Sequence, residues 1–176
     1  QLGRVREDAY HWMKDDNWQA VLRDPAKIRA DVKAALDLEN AYSAAVLAGT
    51  EDLQKQLFEE MKGRIKEDDA SVPAGDGPWE YYTRFNKGGQ HPLFCRRPRG
   101  KTDGEQILLD ADALAKGKAY SEVAATAHSA DHKLFAYAED AQGSEFHTIY
   151  VKDLETGQLV GEPIAAGYGD VTFSPD

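Results

Sequence analysis

The sequence predicts an α+β fold: a helical hairpin arm over residues 1–70, then antiparallel sheets of the β-propeller type over residues 71–176. Apolar residues recur at helical spacing before Ser71, whereas short alternating runs separated by Gly-rich turns follow it. The stretches HSAD (His128–Asp131) and FSPD (Phe173–Asp176) also resemble each other, and they lie about 45 positions apart. That spacing is the length of one propeller blade, so the second half is expected to hold blade repeats.

The helical arm is predicted from capping residues and from apolar stripes. Asp24 favours a helix start as N-cap, with Pro25 at the first helical position, and Gly49 favours the helix end. Thr50 is placed to cap a second helix, and the short turn predicts that the two helices pack as an antiparallel hairpin. The predicted buried stripes are Ile28, Val32, Ala35, Leu36, Tyr42, Ala45 and Val46 in the first helix and Leu53, Leu57, Met61 and Ile65 in the second.

Ahead of the hairpin, the stretch EDAYHWMKDDNW carries three large aromatic side chains, Tyr10, Trp12 and Trp18. We expect them on a short helix that docks the N-terminal region against a larger body.

The β half begins after the helix-breaking stretch SVPAGDGPW. The predicted strands are, in order, WEYYTRF, PLFCRRP, QILLD, YSEVAATAH, KLFAYAED, FHTIYVKD, LVGEPI and the beginning of another in DVTFSPD. ADALAKG is predicted as a short helical turn, and AQGSE and DLETGQ as hairpin turns, because glycine supplies the positive φ that such turns need. A blade buries its faces only against neighbouring blades, and about two blades do not close a ring. The sequence therefore predicts that the chain ends inside a repeat array.

Charge and composition exclude several function classes. Lys and Arg total 21 against 31 Asp and Glu, a formal net charge of -10. This field repels phosphate backbones and anionic membrane surfaces, so neither nucleic acid nor a membrane is expected as a partner. The single cysteine, Cys95, excludes an internal disulfide and suits a reducing compartment, so a cytoplasmic location is expected.

The sequence offers no serine-hydrolase or phosphate-binding motif. A G-x-S-x-G elbow is absent, and Ser144 lies in QGSEF, which is typical of a hairpin turn. The stretch GYG at Gly167–Gly169 does not open a helix after a strand, so no phosphate site is predicted there. Cys95 has no Cys-x-x-Cys partner and is expected to be a buried or half-buried structural thiol. Trp79 is expected to pack within a blade while remaining partly exposed.

A metal site is considered at the histidines, His11, His91, His128, His132 and His147. His128 and His132 have the i,i+4 spacing that serves a metal on a helix, but HSADH is a turn signature, and along a strand that spacing puts the two side chains about 13 Å apart. Solvated turn histidines are therefore expected. The acidic residues Glu67, Asp68, Asp69 and Asp76 lack the spacing of a calcium loop. We expect a solvated link, or ion pairs with Arg64 and Arg84.

Longer stretches resemble the oligopeptidase B branch, also called protease II, of the prolyl oligopeptidase family of serine peptidases. The stretches that carry the resemblance are DAYHWMKDDNW, DPAKIRADVKAALDLENAY, EMKGRIKEDDASVPAGDGPWEYYTRFNKGGQHPLFCRR, ILLDADALAKG, AYAEDAQGSEFHTIYVKDLETG and FSPD. Together they cover nearly the whole chain. Ala9 and Ala130 depart from the family, which often has proline there.

This resemblance implies a much longer enzyme, in which a helical segment packs on an α/β-hydrolase domain and a seven-bladed propeller covers the active site. Residues 1–70 would dock on the hydrolase domain, and residues 71–176 would supply about two blades that gate access. Such enzymes cleave short peptides, in oligopeptidase B after Lys or Arg. The implied partners are basic peptides, the hydrolase domain and the other blades.

The catalytic triad would lie C-terminal to the propeller, so we expect no catalytic, cofactor-binding or metal-binding residue in this chain, which would be inactive alone. The alternative is a complete non-enzymatic binding module whose β half forms a small closed sheet.

Overall fold

Two compact units make up the chain, Gln1–Arg64 and Ile65–Asp176. The structure, a computed structural model, describes residues 3, 5 and 7–174. The first unit holds the helices α1 (Trp18–Arg23), α2 (Ala30–Leu47) and α3 (Glu51–Gly63), with 3-10 turns at His11–Met13, Pro25–Lys27 and Ala48–Thr50. In the part of the chain that the structure describes, none of the helices combines the length and apolarity needed to cross a bilayer.

In the described residues of the second unit, 65–174, there are eight strands and one short helix, α4. Their bounds are β1 (Ala74–Asp76), β2 (Trp79–Arg84), β3 (Leu93–Pro98), β4 (Gln106–Asp110), α4 (Ala111–Ala115), β5 (Glu122–His128), β6 (Leu134–Asp140), β7 (His147–Asp153) and β8 (Ile164–Gly167).

The first long helix begins later than the sequence predicts. Asp24 accepts a hydrogen bond from the backbone N–H of Ala26, but it caps only a 3-10 turn, and Ile28 and Arg29 are extended at ψ 139°. The Arg29 guanidinium donates to the carbonyl oxygen of Trp12 at 2.8 Å and to the Asp31 carboxylate at 2.7 Å. These contacts stabilise the extended segment, so the predicted start at Asp24 and Pro25 is wrong.

The helical arm is confirmed, but its predicted turn chemistry is wrong. Gly49 lies in a 3-10 turn and has no left-handed φ. The Thr50 hydroxyl donates to the carbonyl oxygen of Leu47 at 2.8 Å instead of capping α3. The 3-10 turn Ala48–Thr50 connects α2 directly to α3.

The apolar stripes of the arm, which were predicted to be buried, are largely exposed. Val32 is buried, whereas Leu36, Tyr42, Val46, Leu53, Leu57, Met61 and Ile65 are exposed. Tyr10, Trp12 and Trp18 are exposed as well. Docking of this region against a larger body stays a prediction.

The β half forms two four-stranded antiparallel sheets, each with its strands in chain order, β1-β2-β3-β4 and β5-β6-β7-β8. The predicted antiparallel, propeller-type sheets are confirmed. Neither sheet is closed, so the alternative of one small closed sheet is wrong.

Three details of the strand prediction need correction. β1 lies within the Pro- and Gly-rich stretch, where no strand was predicted. Of the stretch LVGEPI, only Ile164 belongs to a strand, while Leu159 forms an isolated bridge with Lys152. The last strand is instead Ile164–Gly167, and residues 170–174 form no strand. Pro175 and Asp176, half of the second repeat motif, lie outside the described residues.

The two sheets pack face to face around an apolar core. The rings of Phe94 on β3 and Phe135 on β6 have centroids 6.4 Å apart. The Lys152 ammonium on β7 donates to the carbonyl oxygen of Leu108 on β4 at 3.0 Å. The buried centre of the core comprises Leu108, Leu109, Phe135 and Tyr137. β3 thus faces β6 and β4 faces β7, so the strand order runs the same way in both sheets.

Candidate functional site between the two sheets

A cluster of polar and aromatic side chains joins the β1 end of the first sheet to the β5 end of the second. The Tyr81 ring on β2 stacks on the His128 ring at the end of β5, with centroids 4.0 Å apart and planes 11° apart. The Tyr81 hydroxyl lies 2.8 Å from Nδ1 of His132, and Nε2 of His128 lies 3.4 Å from Oδ2 of Asp76. Burial raises the pKa of Tyr81, so its hydroxyl stays protonated at neutral pH.

The two histidines are closer than the strand spacing predicted. His128 ends β5 and His132 lies in the turn that follows, at φ 60°, so their ring centroids are only 5.2 Å apart. Both are half-buried. The turn in HSADH was predicted correctly. Because the chain reverses there, the separation of about 13 Å expected along a strand does not apply. The two histidines pack against Tyr81 and are not fully solvated.

Arg96 supports the cluster from β3. Its guanidinium donates to the carbonyl oxygen of His132 at 2.6 Å and to the Gln106 side chain at 2.8 Å. It also lies over the Trp79 ring, 4.0 Å from the centroid. Trp79 is half-buried, as predicted. The contact to His132 links β3 directly to the β5–β6 turn.

A small cavity adjoins the cluster between the sheets. It has a volume of about 350 Å³, and its wall includes Val72, Tyr81, Phe94, Thr126 and His128. The wall is mostly apolar, and its titratable side chains are Tyr81, Tyr82, Cys95 and His128.

The opposite face of the first sheet carries an ion-paired network. The Arg84 guanidinium donates to the Glu105 carboxylate at 2.8 Å, and the Tyr82 hydroxyl donates to it at 2.6 Å. The Arg84 hydrogen bond lowers the pKa of Glu105, while burial and Glu105 raise the pKa of Tyr82 to about 12. Cys95 lies beneath this network, 2% exposed, and burial raises the pKa of its thiol to about 11. The predicted buried thiol is confirmed.

The far face of the second sheet carries mostly small apolar side chains. Residues paired directly across neighbouring antiparallel strands point to the same face. On β5, β6 and β7 the residues that share this face are Ala125, Ala127, Ala136, Ala138, Ile149 and Val151. Phe135 and Tyr137 point the other way, into the core. Among the described residues, no third sheet covers the alanine-rich face.

The other residues considered in the sequence lie apart from the cluster. Ser144 is buried in the β6–β7 turn, where its hydroxyl faces Asp140 at 3.4 Å. Asp140 accepts backbone hydrogen bonds from Gln142, Gly143 and Glu145, so this carboxylate organises the turn. Gly167 ends β8.

Asp68, Asp69 and Asp76 are exposed, which agrees with the predicted solvated link, whereas the alternative of an ion pair with Arg64 or Arg84 does not hold for Asp69. Arg64 pairs with Glu60 and Arg84 with Glu105, whereas Asp69 pairs with Lys66. Asp76 instead joins His128 and His132, a grouping whose ligand atoms all lie within 4.8 Å of one another. The sequence signal for this grouping was weak, because Asp76 lies far from the histidines along the chain.

Two antiparallel four-stranded meanders, packed with the same strand order, define adjacent blades of a β-propeller. A family model described as "Prolyl oligopeptidase, N-terminal beta-propeller domain" matches residues 1–176. The chain belongs to this family.

Known relatives agree with this assignment. The chain is 35% identical over 189 residues to "Dipeptidyl aminopeptidase BI" of Pseudoxanthomonas mexicana, covering 99% of this chain and 25% of the relative. It is 31% identical over 171 residues to "Protease 2" of Moraxella lacunata, covering 94% and 23%. The chain thus spans about a quarter of the length of these relatives.

Among solved structures, oligopeptidase B from Leishmania major superposes with a TM-score of 0.82 at 32% identity, covering 98% of this chain and 24% of that one. Oligopeptidase B from Trypanosoma brucei, in a closed form with covalently bound antipain, gives a TM-score of 0.79 at 32% identity, covering 98% and 23%. The resemblance to oligopeptidase B seen in the sequence is therefore confirmed.

Proposed function

We propose that this chain is the N-terminal part of a serine peptidase of the prolyl oligopeptidase family, in which it docks domains and restricts entry to the active site. The triad would lie in a hydrolase domain C-terminal to the propeller, and the chain alone would be inactive. Family membership and the likeness to chains about four times longer support this proposal.

The observation that carries the proposal is the difference between the two outer sheet faces. The first sheet's outer face is covered by charged side chains that pair with each other, such as Arg84 with Glu105 and Arg97 with Glu80. The second sheet's far face carries alanines with Ile149 and Val151, which match the inner side of a sheet-on-sheet contact. Ala136 and Ala138 on this face are already buried, and a third blade packed there would cover the half-buried residues around them, Ala125, Ala127, Ile149 and Val151.

The end of the sheets that would line the central channel is indicated by residue size. β1 is Ala-Gly-Asp, and β5 carries Ala124, Ala125 and Ala127. Blades converge toward the propeller axis, so small residues are favoured on the innermost strand of each blade. Because β1 and β5 lie at the same end of the two sheets, we assign that end to the channel that would filter substrates.

For the substrate we propose short peptides cleaved after Lys or Arg. The acidic field of the chain, with a formal net charge of -10, attracts basic peptides. The likeness to oligopeptidase B at 32% identity favours this choice over the activities named for other relatives, "Dipeptidyl aminopeptidase BI" and "Prolyl endopeptidase".

The test is a substrate panel on the full-length protein that contains this chain. An N-blocked arginyl amide, an N-blocked prolyl amide and an unblocked dipeptidyl amide separate the three activities. We expect the arginyl amide to be cleaved at least about tenfold faster, in kcat/KM, than either alternative. Faster cleavage of the unblocked dipeptide would instead assign a dipeptidyl aminopeptidase. Turnover by residues 1–176 alone would contradict the placement of the triad.

Access control is tested with one recognition sequence in two contexts. The full-length protein should cleave it in a short peptide but not in an exposed loop of a stable folded protein. Equal cleavage in both contexts would contradict the gating proposal.

A further inference from the structure

The cluster at the β1 and β5 ends of the sheets has the composition of a metal centre. We propose that Asp76, His128 and His132 bind a divalent transition-metal ion, with Zn²⁺ as the best match. Zinc is commonly held by imidazole nitrogens and carboxylate oxygens, and three protein ligands leave a fourth position for water. The proposal is independent of peptidase activity, and it revises the expectation of no metal ligands.

The distance between one pair of the proposed ligand atoms already matches tetrahedral zinc. Two ligands bound 2.0–2.1 Å from a tetrahedral zinc ion lie about 3.3–3.4 Å apart. Nε2 of His128 and Oδ2 of Asp76 are 3.4 Å apart. The ligand atom of His132 completes a triangle whose sides all lie within 4.8 Å. Bringing the remaining distances to tetrahedral spacing requires a movement of at most about 1.4 Å, which side-chain rotation can supply because Asp76 is exposed.

The other nitrogen of each imidazole has a partner that orients the ring. Nδ1 of His128 lies 3.2 Å from the carbonyl oxygen of Ser129, which can only accept, so this nitrogen carries the proton and Nε2 presents a lone pair toward Asp76. Nδ1 of His132 faces the Tyr81 hydroxyl at 2.8 Å, which leaves Nε2 as its ligand atom. Metal-binding histidines are characteristically oriented by such partners.

The backbone at this point also favours close approach. His132 adopts φ 60°, a conformation that L-residues seldom take, and this directs its ring back toward β1. Gly77, next to Asp76, has φ 51°, and a Cβ there would lie 2.6 Å from Nε2 of His132. Only glycine therefore leaves room for the His132 ring beside Asp76.

A metal bound here would join β1 of the first sheet to the β5–β6 turn of the second. Its expected effect is to clamp adjacent blades together at the end that we assign to the channel. Because a metal that binds the folded state stabilises it by mass action, saturating zinc should raise the Tm, by about 5–10 °C at a hundredfold excess over Kd.

The experiment titrates zinc chloride into the metal-free chain by isothermal calorimetry and follows the Tm in parallel. We expect one strong site, weakened about 100-fold or more in Asp76→Asn and His132→Asn, and about 10- to 100-fold in Tyr81→Phe. Asparagine tolerates the positive φ at position 132, and phenylalanine preserves the stacking on His128. His91→Gln is the control that keeps parental affinity, since His91 lies outside the cluster.

Melting each variant without metal separates unfolding from ligand loss. If another variant does not fold, Asp76→Asn alone tests the metal site, because its exposed side chain lies outside the core and its replacement should leave the fold intact. Unchanged zinc affinity in Asp76→Asn, or no uptake at millimolar zinc, would overturn the proposal. Loss of the strong site in His91→Gln would also overturn it, by assigning the zinc elsewhere.

Discussion

Replacing Phe135 by alanine tests the packing of the two sheets most sensitively. Phe135 is 3% exposed, lies at the centre of the core and packs against Phe94. Deleting a buried phenylalanine ring costs about 3–5 kcal/mol, the sum of lost transfer free energy and an unfilled cavity. That is a large part of the roughly 5–15 kcal/mol by which domains of this size are stable.

The free energy of unfolding is measured by urea titration, with Trp79 as the reporter. Trp12 and Trp18 are replaced by phenylalanine in every variant, because the remaining tryptophan, Trp79, lies in the second unit and packs against Arg96. Phe135→Leu should cost less than about 1.5 kcal/mol, since it keeps most of the volume.

Tyr168→Ala, at a side chain that is 90% exposed, is the matched control and should change stability by less than about 0.5 kcal/mol. A loss below about 1 kcal/mol for Phe135→Ala would refute the face-to-face packing of the sheets.

Three further predictions concern the ion network, the thiol and the β6–β7 turn. The hydrogen bond from Arg84 holds the pKa of Glu105 below its usual range. The ionised Glu105 therefore stabilises the fold above the unfolded-state pKa of about 4.3, and this stabilisation is lost as the pH falls through the folded-state pKa. Glu105→Gln should thus be less stable than the parent at pH 7, and urea titrations at acid pH should show the difference shrinking below about pH 4. Cys95, with its pKa raised to about 11, should react with a thiol reagent far more slowly in the native chain than in urea, whereas equal rates would contradict its burial. Glu145→Gly should stabilise the chain by about 0.5–1 kcal/mol in a urea titration, because Glu145 adopts φ 61°, and a loss of stability would contradict that backbone assignment.

The sequence predicted the kinds of element well, because local patterns determine them. The alternation in WEYYTRF and KLFAYAED corresponds to β2 and β6, and the glycines in the two hairpin turns, Gly143 and Gly157, adopt positive φ. β1 was missed because Ala-Gly-Asp has no β propensity of its own and is held by pairing with β2.

The wrong sequence predictions concern places where a contact with a residue outside the local segment determines the structure. Asp24 carries a good cap signal, yet Arg29 bonds to Trp12 and delays α2 to Ala30. The grouping of Asp76 with two histidines depends on packing between sheets, which no spacing along the chain encodes. The apolar stripes of the arm can be recognised in the sequence, but local pattern does not show whether another part of the protein covers them.

Cysteine labelling at the far face of the second sheet tests most directly the proposal that a further blade covers this sheet. Val151→Cys is introduced into the chain of 176 residues and into the full-length protein that contains it, with Thr156→Cys in the exposed β7–β8 turn as the control. The buried Cys95 adds little background. We predict that a maleimide labels position 151 readily in the short chain and slowly in the full-length protein, while position 156 is labelled equally in both. Equal labelling of position 151 in the two proteins would contradict the claim.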